Sequence, residues 1–338
     1  DEPELWQSLT NSQQRKMVMV IDMFTSAATE SHAGAQFQLG DIYRFGHGVS
    51  LDFQIAARWY RKAADQGHVV AQCNLGSAYD NGKGVTRDSN EAARWYRIAA
   101  DQGYARAQYT LADMYNTGRG VPQDGNEAAQ WLRKAADQDF AAAQLTLGNT
   151  YYEGTGVAQD HIEAARWFRE AADQGFDGAQ LSLGIMYRDG EGVAQNHDEA
   201  VRWFRKAADQ GSAGAQERLG DMYDAGKGVA QDFNQAMQWF QKAADQGSAD
   251  AKLKVGLMYY GGKGVARDLK QAHAFLLAGE VQGNEKLLEL RKKLESSLDH
   301  ISSECSGLDA PASIQCTYCG RSAQDGVKLK PCPRCNGP

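Results

Sequence analysis

Ala141 to Phe176 reads AAAQLTLGNTYYEGTGVAQDHIEAARWFREAADQGF, and this pattern recurs head to tail every 36 residues. Its tryptophan returns at Trp59, Trp95, Trp131, Trp167, Trp203 and Trp239. Its first glycine returns at Gly40, Gly76, Gly148, Gly184, Gly220 and Gly256, with Ala112 in the third place. Seven units therefore run from Ala33 to about Asn284. A fixed period of this size marks stacked supersecondary units, each able to bury its apolar face only against its neighbours. A chain of 338 residues would otherwise suggest about two domains. The period predicts instead one elongated all-α core over 33–284, whose function resides on a surface.

Each unit divides into two helices. Ala143, Leu147, Gly148 and Tyr151 follow one another at spacings of a helical face, which predicts helix A. The turn Glu153-Gly154-Thr155-Gly156-Val157 carries two glycines that return in every unit. Seven copies without a following Lys-Ser or Lys-Thr pair speak against a phosphate loop, and positive φ at the end of a helix accounts for them. Asp160 and its equivalents Asp52, Asp88, Asp124, Asn196, Asp232 and Asp268 are N-cap residue types placed just before the second apolar face. Helix B follows, with Ala164, Trp167, Phe168, Ala171 and Ala172 on one face. An aromatic residue at the same place in consecutive units is what a stacking interface requires, so the tryptophans are read as core. Ala172-Asp173-Gln174-Gly175 closes the unit.

The motifs A-x-x-L-G-x-x-Y-x-x-G-x-G-V, D-x-x-x-A-x-x-W and A-A-D-Q-G together resemble the Sel-1-like repeat, a relative of the tetratricopeptide repeat. The resemblance implies a right-handed superhelix of antiparallel helix pairs, helix A on its concave side, serving as an adaptor that gathers other proteins. Ala112, Asp139 in place of the closing glycine, and Phe275 in place of tryptophan depart from the pattern.

Flanking segments complete the plan. Residues 1–32 are expected to form an N-terminal capping helix whose face includes Trp6, Leu9, Met17, Val20, Ile21 and Phe24. Residues 285–300, with Leu287, Leu290, Leu294 and Leu298 in one stripe, are expected to cap the other end. Residues 301–315 read as a linker.

Four of the six cysteines form two C-x-x-C knuckles, Cys316/Cys319 and Cys332/Cys335, over residues 316–338. Four thiolates satisfy the tetrahedral preference of zinc, which is the cofactor expected here. The wording C-T-Y-C-G and L-K-P-C-P-R-C is similar to the first half of a MYND-type zinc finger, a protein-interaction module. Its second half is missing, which leaves a truncated finger or a complete four-cysteine ribbon. Cys73 and Cys305 have no partner at metal spacing, and cysteines used this way fit a reducing compartment, cytosol or nucleus.

A net charge of -7 argues against nucleic acid as a partner. No stretch reaches the roughly 18 apolar residues of a membrane span, and no signal peptide is evident. No cofactor motif and no Ser/Lys, Cys/His or paired-carboxylate constellation stands outside the repeat pattern, so the expectation is a scaffold and not an enzyme. The alternatives are a regulatory subunit of a methyltransferase or hydrolase, or a quality-control adaptor of the endoplasmic reticulum. His161 and His197 share a repeat position and read as a coincidence. By resemblance to tetratricopeptide repeats, positions 5, 9 and 12 of a unit line a groove, with 2, 6 and 13 beside them. In the middle units the row is Tyr109, Asp113 and Asn116, then Leu145, Asn149 and Tyr152, then Leu181, Ile185 and Arg188. The bland reading has some of these leucines packing between units. The functional one lays a partner's peptide or amphipathic helix across the third to sixth units, with Arg188, Arg218 and Lys254 available to acidic ligand groups despite nearby Glu217, Asp221 and Asp224.

Overall fold

The computed structural model describes residues 10–278 and 292–296. Among the described residues the regular structure is entirely helical. Helix α1 (Asn11–Thr29) precedes seven helix pairs. The first four are α2 (Ala33–Phe45) with α3 (Phe53–Asp65), α4 (Val69–Asn81) with α5 (Ser89–Asp101), α6 (Ala105–Thr117) with α7 (Gly125–Ala136), and α8 (Ala141–Glu153) with α9 (His161–Asp173). The last three are α10 (Asp177–Asp189) with α11 (His197–Asp209), α12 (Ala213–Ala225) with α13 (Phe233–Asp245), and α14 (Ala249–Gly261) with α15 (Leu269–Ala278). The chain forms two compact units that divide within the fifth repeat, one up to Ala179 with Glu191–Val193, the other Gln180–Gly190 with the chain from Ala194.

Local chemistry sets the helix ends. The Asp52 carboxylate accepts from the backbone N–H of Gln54 at 2.8 Å and of Ile55 at 2.9 Å, and Asp88, Asp124, Asp160, Asp232 and Asp268 repeat the arrangement. Asn196 does the same with its amide oxygen. Helix A ends on a left-handed glycine, as at Gly154 with φ of 74°. Helix B ends on a second left-handed residue, and in the third repeat this is Asp139 at φ of 59°. An aspartate in that conformation, at the negative end of a helix, is doubly disfavoured. Asp139→Gly should therefore raise stability by about 0.5 kcal/mol, the relief being partly offset by glycine's greater freedom in the unfolded chain. A thermal-unfolding midpoint equal to or below the parent's would contradict this.

Stacking within each unit uses devices that repeat with the sequence. The glutamine of A-A-D-Q donates to a buried glutamine of its own helix A, as Gln102 to Gln72 at 2.6 Å and Gln138 to Gln108 at 2.8 Å. The buried glutamine in turn donates to a carbonyl at the end of the preceding helix B, as Gln72 to Ala64 and Gln108 to Ala100. Amides buried this deeply need both bonds, and here they tie adjacent repeats in register. Arg97 lies over the rings of Tyr115 and Trp131 of the next repeat and bonds the Tyr115 hydroxyl, with Arg61 and Arg133 placed alike. Trp131, Trp167, Trp203 and Trp239 are buried, and Trp59 and Trp95 are half-buried.

The capping face of α1 differs from expectation at one residue. Ile21, Phe24, Ala27 and Ala28 pack on Ala35, Leu39 and Ile42, whereas Val20 is 41% exposed. Residues 20 and 21 lie about 100° apart around a helix, so turning Ile21 and Phe24 onto α2 carries Val20 outward with Val18, Met19 and Met23. Trp6 and Leu9 lie outside the described residues. At the other end Leu294 is buried against Leu269, Ala272 and Leu276, and Glu295 lies 3.2 Å from His273. The remainder of 285–300, the 301–315 segment and the 316–338 module with its four cysteines also lie outside the described residues.

Candidate partner-binding surface

Position 5 is a contact between repeats. In the first unit Tyr109 is half-buried, its ring centre 5.5 Å from that of Phe140, the last residue of its own repeat and the N-cap of α8. Leu145 is half-buried with its Cδ2 3.3 Å from where a Cβ on Gly178 would stand. In the second unit Leu181 is 3.1 Å from the same point on Gly214, and Ile185 packs with it on the cluster around Phe204 and Leu219. Cys73, at position 5 of the second repeat, is buried, and burial pushes its thiol up to about 11, which makes it an inert core group.

The three cations expected to meet acidic ligand groups each have an acidic neighbour within the chain. Lys254 donates to Glu217 at 2.9 Å and to Asp221 at 2.7 Å, with its ammonium 5.0 Å from the centre of the Phe240 ring. Glu217 is nearly buried and its charge needs a counter-ion there. Arg218 reaches Asp221 at 3.6 Å. Arg188 holds both oxygens of Asp189, at 2.8 and 2.6 Å, and this bond keeps the Asp189 carboxyl below its usual range. For Lys254 the physical reason is register, since position 6 of one repeat sits against positions 5 and 9 of the preceding one, whereas Arg188 and Arg218 pair within their own helices.

In the third and fourth repeats positions 9 and 12 are at least partly exposed. Asn149 and Asn116 are exposed, and the Asn116 carbonyl accepts from Gln123 at 2.8 Å. Asp113 is exposed and paired with Arg119 at 2.7 Å, which also binds buried Asp80 at 2.7 Å. Tyr152 is half-buried; its hydroxyl donates to Glu191 at 2.6 Å and its ring stacks on His161, centres 4.8 Å apart and planes 15° from parallel. Sequence reading assigned His161 no role and did not include Glu191. The signal was the offset that sets position 12 of one repeat beside position 15 of the next. The row thus offers amides and a fixed aromatic edge, groups that bind a peptide backbone and an apolar side chain. Among the described residues no three of His, Cys, Asp and Glu are placed to hold a metal ion, and no helix is long and apolar enough to cross a membrane.

Among the described residues, fourteen helices paired at a fixed period, with a surface row that varies over a constant packing set, define an all-α helix-pair repeat. The Sel1 repeat model matches residues 33–68, 69–104, 105–140, 141–176, 178–212, 213–248 and 249–278, and the chain belongs to the Sel1 repeat family. Proteins of this family are in general protein-interaction scaffolds. Among solved structures it is similar to a protective antigen present in uropathogenic Escherichia coli strains, displaying an SLR fold, at 35% identity and a TM-score of 0.78. That match covers 81% of this chain, which spans 59% of the antigen's length. A Sel1 repeat protein from Oxalobacter formigenes matches at 34% identity and a TM-score of 0.67, over 86% of this chain and 83% of its own. No curated protein matches the chain.

Proposed function

We propose that this chain is a non-catalytic adaptor that holds an extended segment or an amphipathic helix of a partner protein on the helix-A face of its repeats. One observation carries the reading: the packing positions keep their residue types from repeat to repeat, whereas positions 9 and 12 change and, in the third to fifth repeats, are at least partly exposed. Asp113 with Asn116, Asn149 with Tyr152, and Ile185 with Arg188 give each repeat its own chemistry. Tyr152 is the best anchor, because Glu191 and His161 already restrain it and little side-chain freedom is lost on binding. Tyr152→Ala and Ile185→Ala should each weaken capture of the partner by about 1 to 3 kcal/mol, with far-ultraviolet circular dichroism unchanged. A double variant that binds its partner normally, or one that loses helicity, would refute the assignment.

The C-terminal module supplies a second contact in this proposal. The donor set Cys316, Cys319, Cys332 and Cys335 fits one zinc ion, four thiolates in two short knuckles being able to close a tetrahedral structural site. Bound zinc would supply most of the folding energy of so short a segment. Protein purified under reducing conditions should carry one zinc per chain, and a chelator should remove it without loss of solenoid helicity. Metal analysis returning no zinc would end this part of the proposal.

A further inference from the structure

Helix α1 is built as the second helix of a repeat that precedes the seven. Shifted by 36 residues, its end coincides with the end of α3. Gln36 donates to the Ala28 carbonyl at 3.0 Å as Gln72 does to Ala64 at 3.1 Å. The His32 N–H donates to Ala27 as that of His68 does to Ala63, and each imidazole caps the helix that follows. Ser31, at φ of 68°, stands where Gly67 stands at 87°. In the complete repeats helix A doubles back over helix B through a short turn, and in the first of them this buries Ala56 and Ala63. Around α1 that turn is itself helical: α1 has 19 residues where α3 has 13, and Asn11 to Lys16 take the places of His47 to Asp52. In register, the Leu-Gly pair of helix A would fall on Pro3 and Glu4, a helix breaker and a charge where Gly40 lies under the Tyr60 ring.

The face that a helix A covers is consequently open. Val20 and Ala27 take the places of Ala56 and Ala63, yet Val20 is 41% exposed and Ala27 half-buried, and Met19 and Met23 beside them are each 66% exposed. One stripe of α1 carries Lys16, Met19 with Val20, Met23, Ala27 and, directly after the helix, Glu30, whose N–H still donates to Ser26. Lys16 and Glu30 are exposed, and neither forms an ion pair among the described residues. Each stands seven residues from Met23, so the stripe has a basic end, an apolar middle and an acidic end placed symmetrically about that methionine. Such a stripe complements its own reverse. An antiparallel copy centred on Met23 brings Lys16 of each chain opposite Glu30 of the other and sets Met19 against the small Ala27. We propose that two copies of this chain associate through α1, each giving the other the antiparallel helix that covers helix B in the complete repeats. The inference does not rest on the row of positions 9 and 12.

Sedimentation velocity of the full chain tests it. A monomer–dimer equilibrium with a Kd on the order of 10 µM is expected, a single helix face being smaller than a standard interface. Met23→Asp, which sets two carboxylates together at the centre, should weaken association by about thirtyfold or more. Lys16→Glu and Glu30→Lys should each weaken it by about fivefold, because each puts like charges at both ends of the contact. Mixed in equal amounts, these two variants should dimerise as well as the parent, since both ends of the mixed pair again join opposite charges. Neither a folding defect nor a contact through another face gives that rescue, and it decides the matter even if Met23→Asp does not fold. A parent that remains monomeric at about 200 µM, a folded Met23→Asp variant that associates like the parent, or charge variants that gain nothing on mixing would overturn the proposal.

Discussion

Gly84→Ala is expected to destabilise the junction of the first two repeats by about 3 kcal/mol or more, several times the effect of Gly103→Ala. Both glycines have positive φ, 76° and 88°, so the conformational cost of an L side chain, about 1 kcal/mol, is shared. Their surroundings differ. A Cβ at Gly84 would sit well inside van der Waals contact of the Phe53 carbonyl, whereas a Cβ at Gly103 meets nothing within 4 Å. Backbone at both sides of the clash cannot swing aside as a side chain can, so the two repeats must separate. The same approach recurs between Gly120 and Ser89, Gly192 and His161, and Gly264 and Phe233. Denaturant unfolding of the two variants measures the difference, and equal losses would show that the second turn glycine acts through φ alone.

The second large effect concerns the third repeat. In five other repeats a glycine of helix A lies under an aromatic ring of helix B, a Cβ on Gly148 standing 2.6 Å from Phe168 and one on Gly184 2.6 Å from Phe204, while in the seventh Gly256 lies under Leu276. The third repeat has Ala112 there, and the ring is replaced by Leu132, both fully buried. Leu132→Phe alone should cost about 2 kcal/mol by overpacking against the Ala112 methyl. Ala112→Gly alone should cost about 1 to 2 kcal/mol, from the lost methyl and the freer backbone. Together they restore the arrangement of the neighbouring repeats, so the double variant should be more stable than the sum of the two by about 1 to 2 kcal/mol. A double-mutant cycle that closes additively would show that Ala112 and Leu132 do not compensate each other.

These two cases mark the limit of what the chain discloses by itself. The period of the tryptophans and glycines, the aspartate N-caps and the closing A-A-D-Q-G suffice for seven helix pairs and their boundaries, because they act within one repeat. The role of Gly84 is invisible there, since its constraint comes from a carbonyl in the preceding repeat. Gln72 and Gln102 carry no sequence sign of their pairing, which the fold makes by burying one and bringing the other to it. The candidate surface was legible in part: Asp113, Asn116 and Asn149 reach solvent, but Ile185 packs on the core cluster, Leu145 and Leu181 meet the next repeat, and Lys254 meets Glu217 and Asp221. Long side chains on neighbouring repeats pair by register, and register appears only when the repeats are stacked. Compensation between Ala112 and Leu132 was present in the sequence as two departures 20 residues apart, but only their packing joins them.

The central claim is that a partner lies on the helix-A face, and site-specific photocrosslinking tests it most directly. A photoreactive residue placed at Asn149, exposed between Leu145 and Tyr152, should trap one discrete partner from the native cell extract. The same residue at Ile162, which is 71% exposed on helix B and offers the rival apolar contact, should not. A partner trapped at position 162 and absent at position 149 would contradict the account.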